Sequence, residues 1–87
     1  MTFDYWFDHQ DDIQAALADA ADEDGYFETD DLRDHPQILA LHPGFARRDK
    51  GCLPSLDRWI KKYPRNAGAN WLWSHGNNSR YRLLKSA

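Results

Sequence analysis

What this chain has little of narrows it first. Cys52 is its one cysteine in 87 residues, so no internal disulfide framework can form and a stapled secreted mini-domain is excluded. No apolar run approaches the roughly 20 residues that a transmembrane helix needs. The opening MTFDYWFDHQDD is acidic where a signal or transit peptide would be basic. The expectation is a cytoplasmic protein with no membrane partner. Cations are scarce in one half only. Up to residue 44, Arg33 stands alone against twelve carboxylates, a balance of −11; from residue 45 onward ten cations face Asp49 and Asp57, a balance of +8. The net charge of −3 hides that split, which points to a polyanion partner or an acidic binding face.

Other absences bear on chemistry. There is no Gly-rich phosphate loop, and nothing places a base beside Ser55, Ser74, Ser79 or Cys52, so no catalytic residue and no enzyme activity are expected. His9, His35, His42 and His75 lack ligand spacing, so neither a metal nor a cofactor is expected. Asp22, Asp24, Gly25 and Asp31 imitate part of a calcium loop. Ala20 holds the first ligand position, however, and Asp31 replaces the bidentate glutamate, so the stretch reads as a capped turn.

With 41% apolar content, residues 1–87 suffice for one core and one domain. Phe3, Tyr5, Trp6 and Phe7 form an aromatic arm (1–7) or extend the first helix. Ile13, Ala16, Leu17 and Ala20 recur at helical spacing and predict a helix over about 8–22. Tyr26-Phe27 reads as a short strand, and Thr29 as the cap of a second helix that Pro36 kinks or interrupts. After the basic connection FARRDKG comes a third helix, 54–63, with Leu56, Trp59, Ile60 and Tyr63 on one side and Arg58, Lys61, Lys62 and Arg65 on the other. Residues 66–70 read as a loop. Strands at 71–75 and 80–84 then form a hairpin with Gly76–Ser79 at its tip. Pairing His75 with Tyr81 places Trp71, Trp73, Tyr81 and Leu83 together on the core face, with Arg80 and Arg82 pointing away.

Helix, short strand, helix, loop, helix and hairpin resemble, in that order, the winged-helix class of helix-turn-helix domains across about residues 8–85. The expected fold is therefore α+β, a small winged-helix domain of three helices with a short strand and a C-terminal β-hairpin wing. The resemblance implies a recognition helix at 54–63 entering the major groove of double-stranded DNA, with the hairpin tip as a wing on the backbone. It implies capture by Arg47, Arg48, Lys50, Lys61, Lys62 and Arg82, and groove readout by Ser55, Arg58 and Arg65. Backbone contacts would come from Asn77, Asn78, Ser79 and Arg80. Regulation of transcription or an accessory DNA-binding role is the function such a module implies. Within the class no specific family is matched, and the acidic half departs from the pattern. That half supports an alternative: a protein-binding module whose carboxylates mimic DNA, as in phage-type inhibitors, or engage a basic protein partner. The opposed charges would also allow head-to-tail self-association.

Overall fold

The computed structural model describes residues 3–84. Its elements run α1 (Asp4–Asp8), α2 (Gln10–Ala20), β1 (Tyr26–Glu28), α3 (Thr29–Leu32), α4 (Pro36–Leu39), α5 (Pro43–Ala46), α6 (Cys52–Lys62), α7 (Pro64–Ala67), β2 (Ala69–His75) and β3 (Asn78–Leu83). The three strands form one antiparallel sheet in the order β1-β3-β2. This is an α+β architecture in which helices cover one face of a small sheet.

Proline accounts for much of the segmentation. Pro36, Pro43 and Pro64 each stand at the start of a short helix, where the missing N–H costs nothing and φ is already set. The kink or restart anticipated at Pro36 is thus a full break, with His35 as N-cap of α4. Thr29 lies inside α3 rather than capping it. Glu28 is the cap, with Asp31 reciprocating in a capping box. The first helix is also two: α1 ends at Asp8, and α2 begins after His9. Asp22 accepts N–H bonds from Asp24 and Tyr26 at 3.0 and 2.9 Å, which is the capped turn expected there.

The aromatic N-terminal segment docks as a helix. Trp6 is wholly buried and donates its indole N–H to Ser55 Oγ at 3.0 Å, while the Tyr5 hydroxyl donates to the Leu41 carbonyl. Around Trp6 lie Ile13 and Leu17 of α2, Leu32, Ile38 and Phe45 from the short helices, and Leu56, Trp59 and Ile60 of α6. Phe27 stacks on Tyr81 where β1 meets β3, with ring centroids 5.2 Å apart.

The hairpin departs from the expected register. His75 pairs with Asn78 across a two-residue turn, Gly76-Asn77, and Gly76 has φ of 61°, a left-handed conformation that favours glycine. An irregularity sits at Leu72: Trp71 lies opposite Tyr81, but Trp73 lies opposite Arg80. One extra residue reverses the alternation, so Trp71 and Trp73 occupy opposite faces of β2. Neither enters the core; both are 43% exposed, and Leu72 between them is 42% exposed. The expected core-facing set therefore reduces to Leu56, Trp59, Ile60 and Tyr81, with Tyr63 and Leu83 packed at its margin. Arg80 and Arg82 do point away from the core.

Candidate functional site

A groove of about 550 Å³ lies between α6 and the β2–β3 turn. Along the helix side run Pro54, Asp57, Arg58 and Lys61; Ser74, Gly76, Asn77 and Ser79 border it from the hairpin. Arg48 and Lys50 reach in from the connection before α6, and Arg33 from the end of α3. Five cations and two carboxylates, Asp49 and Asp57, line this one concavity. Among the described residues, Arg48, Lys50, Arg58 and Lys61 form no ion pair.

Beneath the groove, a chain of hydrogen bonds joins the edge strand to the helix. Trp71 Nε1 donates to Ser74 Oγ at 2.9 Å, and Ser74 Oγ lies 2.8 Å from Ser79 Oγ. Ser79 N–H donates to Thr29 Oγ1 at 2.9 Å, and Thr29 Oγ1 donates to Asp57 Oδ2 at 3.2 Å. The Tyr81 hydroxyl completes the chain against Asp57 Oδ1, also at 3.2 Å. These bonds hold the hairpin against α6 in one orientation, since each buried polar group would lose a partner if the hairpin swung away. Burial raises the Asp57 carboxyl above its ordinary value, opposed by the hydrogen bonds from Tyr81 and Thr29 and by nearby Lys61 and Arg33. Burial, and then the Asp57 charge, push the Tyr81 phenol far upward as well.

The expected site residues divide. Arg48, Lys50, Arg58, Lys61, Asn77 and Ser79 line the groove. Arg47 is exposed but pairs with Asp49 at 2.9 Å. Lys62 leans over the Tyr63 ring, 5.8 Å from its centroid, and Arg65 falls in α7 beyond the turn at Tyr63. The cationic row 58, 61, 62, 65 thus serves two directions. Ser55 is a correction: it is buried and accepts the Trp6 N–H, so it faces the core instead of a ligand. Asn78 is likewise engaged, donating to Glu28 Oε1 at 2.7 Å and accepting from the Asp30 N–H at 3.2 Å. Ser79 is buried and belongs to the network rather than to the tip. Arg80 pairs with Glu28 at 3.0 Å, and both Arg80 and Arg82 stack over Tyr26 on the outer face of the sheet.

Sequence reasoning missed Arg33, Thr29, Asp57 and Ser74. Arg33 belongs by sequence to the acidic half, although it stands one turn beyond Thr29 at the end of α3. For Ser74 no local signal exists; its place depends on the bulge at Leu72.

The two charged halves are joined by few ion pairs. Among the described residues, Arg80–Glu28 is the one ion pair that joins a cation beyond residue 45 to a carboxylate before it. Asp4, Asp8, Asp11, Asp12 and Asp19 are exposed on α1 and α2. No protein-family model, no curated protein and no solved structure matches this chain. No helix among the described residues is long and apolar enough to cross a membrane.

Proposed function

We propose that the protein is a non-catalytic DNA-binding module of winged-helix type, with α6 set into the major groove and the β2–β3 turn as the wing on the backbone. Support for the fold reading comes from element order and from a sheet in which the first strand pairs with the last, β1-β3-β2. The observation that carries the function is the groove, where Arg33, Arg48, Lys50, Arg58 and Lys61 converge from three separate segments beside the Gly76-Asn77 turn. Arginines suit bidentate contact with phosphate or a guanine edge, and lysines act there as point charges. A regulatory or accessory role follows from binding without chemistry.

The test is fluorescence anisotropy on a generic duplex across a salt series. Neutralising about four phosphates predicts a slope of log K against log salt near −4. Replacing Arg58 and Lys61 with Ala should reduce that slope by about 2 and leave the fold intact. Unchanged affinity in the double variant would sink the reading.

A second reading draws on the exposed carboxylates of α1 and α2, which almost no cation of the other half neutralises. In that reading the acidic surface docks a basic protein, or the basic groove of another copy head to tail. Absence of duplex binding at low salt, with salt-sensitive self-association in sedimentation, would favour it.

A further inference from the structure

The edge strand β2 carries an exposed Trp71-Leu72-Trp73 triplet that the duplex reading leaves unused. No charged residue and no proline lies within Ala69–His75, so neither usual protection of an edge strand is present. The bulge at Leu72 supplies a different one: it twists the strand and dislocates its ladder, which disfavours adding a further strand edge to edge. Side chains, rather than backbone groups, are what this edge offers.

One of the two indoles, Trp71, lies beside a cation. Lys61 Nζ stands 4.9 Å from the Trp71 ring centroid and lines the groove, and Trp73 is the cross-strand partner of Arg80. Trp71 is also oriented, because its Nε1–H is held by Ser74, a residue of the groove wall. An exposed, immobilised aromatic next to a lysine that can take the adjoining phosphate is the combination that binds unpaired nucleotides. The base stacks on the ring whatever its identity, and the backbone follows the positive charge.

We infer that the β2 edge is a stacking site for unpaired bases, with Trp71 as the platform nearest the groove, so that the preferred ligand is nucleic acid with a single-stranded stretch beside a duplex. This rests on the groove being a nucleic-acid site and adds the ligand's form. Trp73, on the opposite face of the strand, lies outside that platform, and its cross-strand partner Arg80 is held by Glu28 and Tyr26.

The test compares a blunt DNA duplex, the same duplex with a short oligothymidylate tail, and the tail alone, by anisotropy and by tryptophan emission. The tail should tighten binding about tenfold over the blunt duplex. It should also quench emission, and a Trp71→Phe, Trp73→Phe variant should lose most of that quenching because Trp6 and Trp59 are buried. Trp71→Ala should abolish the affinity difference between tailed and blunt duplex, both measured on that variant, and Trp71→Tyr should recover it in part. A tail that neither tightens binding nor quenches emission overturns the stacking site but leaves the groove reading standing. No binding to any of the three removes the groove reading as well. Should Trp71→Ala instead dissolve a dimer in sedimentation, with tailed-duplex affinity unchanged, the edge is a self-association surface and the stacking site is overturned.

Discussion

The Tyr81 hydroxyl meets Asp57 twice, donating at 3.2 Å to the carboxylate Oδ1 and lying the same distance from the backbone carbonyl. Through that contact the central strand β3 grips the underside of α6, the helix whose upper side carries Arg58 and Lys61. Tyr81→Phe should lower stability by about 1–3 kcal/mol, because a largely buried carboxylate loses a donor. Urea denaturation measures the loss. The hydroxyl lowers the Asp57 value, so the variant should also move the Asp57 titration further upward.

Asp57 makes stability fall with rising pH. Its folded-state value is raised above the ordinary 3.8, so the folded protein holds the proton more tightly than the unfolded chain. That contribution is fully present below 3.8 and is lost as pH rises through the raised value. Asp57→Asn, which cannot ionise, should lack this component, and its stability relative to the parent should grow as pH climbs through the same window. Denaturation midpoints at a series of acid to neutral pH values would show it; parallel curves for parent and variant would refute it.

Ser55→Ala should destabilise without touching the cationic groove. Its hydroxyl accepts the N–H of the fully buried Trp6, and removal leaves that donor unpaired at a cost of about 1–3 kcal/mol. Thermal unfolding should register the loss, while affinity for duplex DNA measured well below the transition stays unchanged. A loss of affinity in the folded variant would restore Ser55 to the interface.

Arg48 combines groove charge with backbone strain. Its φ of 57° is left-handed, a conformation costing a non-glycine residue roughly 1–2 kcal/mol. Arg48→Gly relieves that strain but frees the unfolded chain, so stability should stay within about 1 kcal/mol of the parent. Duplex affinity should nevertheless fall, and its salt slope should lose about one unit. Affinity unchanged in a stable Arg48→Gly would exclude Arg48 from the contact surface.

Cys52 should react slowly in the folded protein. It is buried, and burial foremost, with Asp49 adding, raises its thiol so that little thiolate forms near neutral pH. Labelling with a thiol reagent should therefore proceed far faster in guanidinium than in buffer. Equal rates would show that this part of α6 opens readily.

Local pattern fixed much of this molecule. The spacing of Ile13, Ala16 and Leu17 declares α2, that of Leu56, Trp59 and Ile60 declares α6, and Pro36 marks where a helix is interrupted, because side-chain period and the missing proline N–H act within a few residues. The short helix α7 at Pro64–Ala67, where the sequence reads as a loop from residue 66, is not declared in this way. The charge division at residue 45 is equally a property of the sequence, as is the cationic side of α6. Tertiary structure decided what those charges and aromatics face. Cross-strand register is a long-range choice, and the bulge at Leu72, which local alternation does not reveal, sent Trp71 and Trp73 to opposite faces and out of the core. Packing also withdrew Ser55 to meet Trp6 and brought Arg33 from the acidic half into the groove. Each of these outcomes depends on segments tens of residues apart arriving side by side, which no periodicity along the chain encodes.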